Sequence, residues 1–288
     1  MIRRFLLATT TYVVTALLAI AATAQQRRPP PPPLSISDDA ANRVAHQIWL
    51  NETGGDPDGI VAWNSGEDFM SVGIGHFIWF PAGRAAPFVE TFPRFVAFMR
   101  EQKMRLPNWL DKTPLPPCPW TSRAEFLRSK NSQRYIQLKQ FLNETIGAQV
   151  RFLLARTRNA FDAIIASTPD ETQRRHITAQ YTRVVRASPD LYPLIDYVNF
   201  KGEGISALET AFDPTTGTRE GWGLKQVLAG MSGTSDAPDI VLGEFAASAK
   251  SVLLRRIRNQ PQTRMWQSGW LKRVATYRAA LPGTVPAR

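Results

Sequence analysis

The sequence is poor in the residues that cross-link chains and bind metals. Its 288 residues include one cysteine, Cys118, and three histidines. A single cysteine excludes a disulfide within the chain. So few and widely separated donors argue against a structural zinc site. Cys118 lies in Pro-Pro-Cys-Pro-Trp with no histidine or acid beside it, which indicates a structural side chain. We therefore expect no metal and no cofactor.

Acidic residues are a minority among the charged ones. The chain has 24 Asp and Glu against 35 Lys and Arg, which gives a net charge of +11. This excess favours anionic partners, such as a cell-wall polymer or lipid headgroups, although solubility alone would account for it. The sequence lacks a recognisable motif for reading nucleic acid, so nucleic acid is not an expected partner.

Long apolar runs are also scarce, and the one present lies at the N-terminus. A basic pair at residues 3–4 precedes an apolar run over residues 5–22, which ends in the small-x-small sequence of residues 22–24. This order predicts a signal peptide over residues 1–24, cleaved after Ala24. An uncleaved anchor is the alternative, because the run is just long enough to span a bilayer. We expect a periplasmic or secreted monomer with no stable membrane span after cleavage.

The next segment is a proline-rich linker. Residues 25–36 include five consecutive prolines, which favour extended polyproline II and act as a stiff spacer. A ligand for a proline-binding module is the alternative interpretation. The remaining residues, 37–288, suffice for one large domain or for two small ones that share a cleft.

Most of that domain shows helical periodicity. Ser37 is a good N-cap for a first helix, and apolar residues recur at helical spacing over residues 41–49. Residues 60–80 instead read as a small antiparallel sheet around a turn at residues 64–66. Further helices are predicted at 88–104, 133–166, 171–187, 190–200, 221–231, 239–258 and 269–280. The expected class is mainly α (α+β), with one small antiparallel sheet near the N-terminus.

The candidate catalytic side chains are most closely spaced in residues 51–76. Glu52 falls at the C-terminal end of the first helix, where the partial negative charge of the helix dipole raises a carboxyl pKa and suits a general acid. The hairpin beyond it carries Glu67, Asp68 and Ser71. Glycoside cleavage needs a second carboxylate opposite the acid, and a hairpin across a cleft can supply it.

This segment resembles the N-terminal lobe of phage-type lysozymes. The resemblance rests on Asn51-Glu52-Thr53-Gly54-Gly55, on the strand around Trp63 and on Ser71-Val72-Gly73-Ile74-Gly75-His76. It implies a two-lobed helical fold with a cleft, in which Glu52 is the general acid and His76 is structural. Ser71 stands where the family has a Thr that positions water. The family's Asp falls at Ser65, so Glu67 or Asp68 could supply the second carboxylate, as could Glu203 from across the cleft.

The C-terminal half carries further resemblances. Leu194 to Phe200 with Gly202-Glu203-Gly204, and the segment 264–281, are similar to the second lobe of the phage-type enzymes. Glu203 followed by Gly-Trp-Gly-Leu-Lys-Gln-Val at 221–227 resembles goose-type lysozymes and lytic transglycosylases, which pair a catalytic Glu with a Gly-Leu-Met-Gln segment. Between the lobes, a helical insertion is expected at about residues 88–190.

Together these resemblances imply cleavage of peptidoglycan glycan strands, by a muramidase or a lytic transglycosylase. The candidate catalytic residues are Glu52, Glu67, Ser71 and Glu203. The candidate substrate contacts are Asp68, Gly75, Trp222 and Gln226. Two alternatives stay open: a non-catalytic wall-binding protein that keeps the cleft but lacks the second carboxylate, and an exported interaction protein that uses the proline-rich arm.

Overall fold

The computed structural model of the chain describes residues 34–56, 58–84 and 89–282. The predicted signal peptide and nearly all of the predicted linker lie outside these residues. At the start of the described part, Leu34 is buried in the core, and its carbonyl oxygen accepts a hydrogen bond from Arg158. The folded unit therefore begins no later than Leu34, slightly before the predicted start at residue 37.

The first helix, α1 (Asp38–Thr53), has the ends that its sequence predicts. The Ser37 hydroxyl caps its N-terminus by accepting a hydrogen bond from the backbone N–H of Ala40 at 3.2 Å. Gly54 ends the helix in the left-handed conformation, at φ 65°, which glycine adopts without steric cost. The buried face holds the last turn of α1 against the core through Ala41, Val44, Ala45 and Ile48.

A small antiparallel sheet follows, as the sequence predicts. Its strands, in spatial order, are β1 (Val61–Ala62), β2 (Met70–Val72) and β3 (Phe77–Trp79). Val61 pairs with Val72, and Met70 pairs with Trp79; all four side chains are buried. The tight turn at residues 73–76 joins β2 to β3 and is held by hydrogen bonds to the side chains of Gln149 and Asn199.

A run of helices forms the middle of the chain. These are α2 (Phe92–Glu101), α3 (Arg123–Arg128), α4 (Gln133–Glu144), α5 (Ile146–Ala166), α6 (Glu171–Ala187) and α7 (Tyr192–Lys201). The long α5 packs against α1, α2, α6 and α7. The helices predicted at 88–104, 171–187 and 190–200 are confirmed, with shifts at their ends. The short α3 is not predicted.

The predicted single helix over residues 133–166 is wrong, because the structure breaks it at Thr145. This residue has φ −111° and ψ 18°, and its hydroxyl donates back to the carbonyl of Phe141 at 2.7 Å. The side-chain amide of Gln149 donates to the carbonyl of Leu142 at 2.6 Å. Side-chain hydrogen bonds thus replace those lost from the helical ladder, which a periodicity of 3.6 residues does not reveal.

The amide of Gln149 also joins this helix junction to the sheet, since its Oε1 accepts from the backbone N–H of Ile74 at 2.8 Å. The Gln149 side chain is fully buried. Gln149→Leu leaves the buried N–H of Ile74 unpaired and removes the shorter of two side-chain hydrogen bonds to the carbonyl of Leu142. We expect it to lower the free energy of unfolding in urea by about 1–3 kcal/mol. Gln137→Leu, at an exposed site of α4, is the matched control. Equal stability of the two variants would contradict this role.

The C-terminal part contains a hairpin that the sequence analysis misses. Its elements are β4 (Thr210–Asp213), β5 (Thr218–Gly221), α8 (Leu224–Ala229), α9 (Pro238–Asn259) and α10 (Gln267–Ala275). The helix predicted at 221–231 begins only at Leu224, because Gly221 completes β5 by pairing with Thr210. The turn residues at 213–217, which end in Gly217 at φ 70°, are the signal that could have found it.

The described residues from Leu34 onward belong to one compact unit with a continuous apolar core. Cys118 lies in that core, as expected for a structural side chain; burial raises the pKa of its thiol to about 12 and keeps it protonated. Within the described ranges, every helix is too short or too polar to cross a membrane.

Candidate active site

Glu52 lies in the last turn of α1, and its side chain is only 16% exposed. The two carboxylate oxygens have different partners. Oε1 accepts a hydrogen bond from Nη2 of Arg273 at 2.8 Å, and Oε2 lies 3.6 Å from Nδ1 of His76. The end of α1 therefore brings together the turn between β2 and β3 and the C-terminal helix α10.

Arg273 links Glu52 to a second carboxylate, the fully buried Asp196 of α7. Nε of Arg273 donates to Oδ2 of Asp196 at 2.9 Å, and Nη2 donates to Oδ1 at 2.7 Å. Tyr277 donates its hydroxyl to Oδ2 at 2.5 Å. Burial alone would lower the pKa of Arg273, but the carboxylates of Asp196 and Glu52 raise it well above its ordinary value. We call Glu52, Arg273 and Asp196 the buried ion cluster.

Neighbouring side chains, Arg273 of this cluster first among them, lower the pKa of Glu52. Burial raises the pKa of its carboxyl group, but Arg273, His76 and Lys201 together outweigh burial, and the pKa falls below its ordinary value of 4.5. The expectation of a raised pKa is wrong. A helix terminus carries only about half a charge, whereas Arg273 brings a full charge to hydrogen-bond distance. Glu52 is therefore ionised at neutral pH.

His76 adopts a left-handed backbone conformation, with φ 45°, which is uncommon for a residue with a side chain. Backbone outliers of this kind cluster at functional sites. Nδ1 faces Glu52, whereas Nε2 is buried and has no hydrogen-bond partner in the described part of the chain. The imidazole thus contacts the carboxylate with one nitrogen and keeps unused hydrogen-bonding capacity on the other.

Glu67 lies half-buried in the turn between β1 and β2. The side-chain amide of Asn64 donates to its Oε2 at 3.1 Å. Burial raises the pKa of Glu67 above its ordinary value, by more than the Asn64 hydrogen bond and the charge of His76 lower it. His76 therefore acts electrostatically on both Glu52 and Glu67, whose pKa values shift in opposite directions.

The other two hairpin candidates differ in exposure. Ser71 is buried in β2, where it pairs with Ala62 and Ile78. A water held by Ser71 would therefore itself be enclosed. Asp68 is exposed and lies 3.8 Å from Nη1 of Arg84, an ion pair open to solvent that contributes little to stability.

A cavity of about 490 Å³ lies beside His76. The turn before β3 forms one wall, and the loop after α7 forms another. Gly75 brings backbone close to α7: its carbonyl accepts from the side-chain amide of Asn199 at 3.2 Å. The polar side chains that line the cavity include His76, Arg94, Arg156, Asn199, Glu203 and Glu209. The structure thus brings Gly75, His76 and Glu203 to one cavity, and Glu52 approaches it through its contact with His76.

The substrate contact predicted for Trp222 does not fit the structure. The Trp222 side chain is buried in the core, and the guanidinium of Arg256 lies 3.9 Å from the centroid of its ring. The Trp222 carbonyl accepts a hydrogen bond from the hydroxyl of Tyr197 at 2.9 Å. A ring held in this way anchors the segment before α8 and is closed to a substrate.

Gln226 likewise has a structural position. Its Oε1 accepts from the backbone N–H of Gly223 at 3.1 Å, and its Nε2 donates to the carbonyl of Gly204 at 3.0 Å. Both ends of the amide are therefore engaged in bracing the loop after Glu203 against the start of α8. The predicted substrate contact of Gln226 is corrected to this bracing role.

The sequence analysis does not identify the cations of the site. One signal was present: Asp196 is the lone acid in the otherwise apolar stretch 193–198, and a buried carboxylate needs a cationic partner. Its partner Arg273 lies 77 residues away, beyond any local spacing rule. Lys201 is a further cation, with Nζ 3.6 Å from the centroid of the Trp270 ring.

Across residues 34–56, 58–84 and 89–282, no group of three or more His, Cys, Asp or Glu side chains is placed to hold a metal ion. The site is thus built from carboxylates, guanidinium groups and an imidazole.

No protein-family model matches the chain, and no curated protein or solved structure is significantly similar to it.

Proposed function

We propose that the protein cleaves the β-1,4 glycan strands of peptidoglycan in the periplasm, as a muramidase or a lytic transglycosylase. One observation carries this proposal: Glu52 and Glu67 both interact with His76, and their pKa values are shifted in opposite directions. Glycoside cleavage uses one carboxyl group that keeps its proton and one that is ionised, and environments that separate two carboxyl pKa values mark these roles.

In this proposal Glu67 protonates the glycosidic oxygen. Glu52 is the ionised group, which stabilises the positive charge that develops on the sugar or activates the attacking water. Arg273 keeps Glu52 ionised and fixed in position. These roles are the reverse of those implied by the resemblance, in which Glu52 is the acid.

The cavity beside His76 is suited to hold the strand. It is concave and combines hydrogen-bonding groups with the apolar side chains of Val89 and Leu208, which are 53% and 59% exposed. The net charge of +11 favours association with an anionic polymer.

Purified sacculi provide the direct test. The protein should release soluble muropeptides, and mass spectrometry of their ends distinguishes hydrolysed from 1,6-anhydro products. A lysozyme of known activity on the same sacculi is the positive control. Intact sacculi after incubation with the folded protein would contradict the proposal.

A non-catalytic wall-binding protein is the second candidate, and one observation favours it. The Glu52 carboxylate is already engaged by Arg273, and its pKa is lowered, as for a carboxylate with a purely structural role. Sedimentation of the protein with sacculi, without release of fragments, would support this candidate.

An activated substrate separates the roles of the two carboxyl groups. An aryl glycoside has a leaving group that departs without protonation, so loss of the acid matters little for its cleavage. We expect Glu67→Gln to lose about 100-fold or more on sacculi but to keep cleavage of the aryl glycoside. Glu52→Gln should lose both activities. The opposite pattern would assign the proton to Glu52, and Glu144→Gln, an exposed carboxylate at the end of α4, is the control.

A further inference from the structure

Two arginines line the cavity without an acidic partner. Arg156 extends from α5, and its Nη1 makes a long hydrogen bond, 3.4 Å, to Oδ1 of Asn199. Arg94 extends from α2. Among the described residues, no carboxylate lies within 4.0 Å of either guanidinium group. Because each guanidinium has five N–H donors, most of their hydrogen-bonding capacity is left for a ligand.

The guanidinium groups of Arg156 and Arg94 also repel each other. Burial lowers the pKa of Arg156, and the charge of Arg94 lowers it further, whereas Glu203 and Glu209 act in the other direction. A desolvated cation without a hydrogen-bonded counter-ion costs free energy. An anion placed between the two guanidinium groups would relieve both the desolvation and the mutual repulsion.

Two acidic side chains line the cavity, and neither pairs directly with these arginines. Glu203 acts on Arg156 by its charge but lies more than 4.0 Å from the guanidinium group. Oε2 of Glu209 accepts hydrogen bonds from three successive backbone N–H groups of its own loop, at 2.7, 3.1 and 3.4 Å, in residues 204–206. Burial and the charge of Glu203 raise the pKa of Glu209, whereas these three hydrogen bonds lower it. The lining of the cavity therefore includes two guanidinium groups with free donors and a Glu209 carboxylate that is engaged by its own loop.

We propose that Arg156 and Arg94 form a subsite for a carboxylate of the substrate. Arginine binds carboxylates through two parallel hydrogen bonds, which supply both free energy and orientation. The inference rests on the proposed function and deepens it: peptidoglycan strands carry carboxylates on their stem peptides, whereas chitin-like glycans are uncharged. The substrate class is therefore a peptide-bearing strand, bound with a stem-peptide carboxylate on the arginines.

Calorimetric titration with a soluble disaccharide–tetrapeptide tests the subsite without requiring cleavage. We expect Arg156→Gln and Arg94→Gln each to weaken binding of this probe by about 10-fold or more. The same probe with its carboxylates converted to amides should bind the wild type and both variants equally weakly. Arg151→Gln, an exposed change of the same charge on α5, is the matched control and should bind like the wild type.

Arg94 is exposed, so Arg94→Gln keeps the test valid if Arg156→Gln fails to fold. Equal affinity of the wild type for the charged and amidated probes would overturn the subsite, as would unchanged binding in Arg94→Gln. Preference for the charged probe without any cleavage of sacculi would sustain the subsite and contradict only the proposed activity. Cleavage without this preference would contradict only the subsite.

Discussion

Glu52→Gln is expected to lower muropeptide release from sacculi by at least about 100-fold while the protein stays folded. The amide keeps a hydrogen-bond acceptor for Arg273 but loses the negative charge that the proposed reaction needs. The initial rate of muropeptide release at neutral pH is the measurement. Circular dichroism of the variant checks that the fold is retained.

Two further variants make this result specific. Glu144→Gln removes an exposed carboxylate from the end of another helix and should leave the rate unchanged. Glu203→Gln changes one of the two acidic side chains that line the cavity, and it should lower the rate by less than Glu52→Gln. If Glu203→Gln abolishes release while Glu52→Gln keeps near-full activity, the chemistry belongs to Glu203 and the present assignment fails.

Arg273→Met should be the most destabilising of the substitutions considered, with a loss of about 3–5 kcal/mol at neutral pH. The variant leaves Asp196 and Glu52 inside the protein without the guanidinium that pairs with both. Urea denaturation measures the loss without the charge screening that guanidinium salts introduce. Lys272→Met removes the same charge from an exposed site of the same helix, and it should change stability by no more than about 0.5 kcal/mol.

The loss of unfolding free energy caused by Arg273→Met should be smaller at acidic pH than at neutral pH. In the wild type the pKa of Glu52 lies below its unfolded value of 4.5, so its ionised form stabilises the fold above that pH, and this stabilisation is lost as the pH falls through the folded value. Without Arg273, burial raises the pKa of Glu52, and protonation then relieves an unpaired charge. A deficit that stays constant from pH 7 to pH 4 would contradict this account of the buried ion cluster.

The parts of the fold that depend on local patterns are predicted well. Ser37 and Gly54 mark the ends of α1, and the turn at residues 64–66 marks the small sheet. The break at Thr145 is not predicted, because the hydrogen bonds that compensate for it come from side chains, Gln149 among them. An apolar period continues across such a break, so the period alone indicates one long helix.

In the candidate site, too, local features are predicted from the sequence, whereas features that depend on distant residues are not. Glu52, Glu67 and His76 are close in sequence, and their grouping is visible there. The sign of the Glu52 pKa shift is not, because it depends on Arg273, which is 221 residues further along the chain. A helix dipole can be inferred from local sequence, whereas a guanidinium group from the last helix can be placed only by the fold.

This long separation has a consequence for biosynthesis. A ribosome makes Glu52 early and Arg273 near the end, so an unfinished polypeptide holds Glu52 and Asp196 without the guanidinium group that hydrogen-bonds to both. Chains that stop before α10, through premature termination or proteolytic clipping, cannot complete this part of the interior. The interaction between Glu52 and Arg273 thus makes an assembled site conditional on a polypeptide that extends through α10.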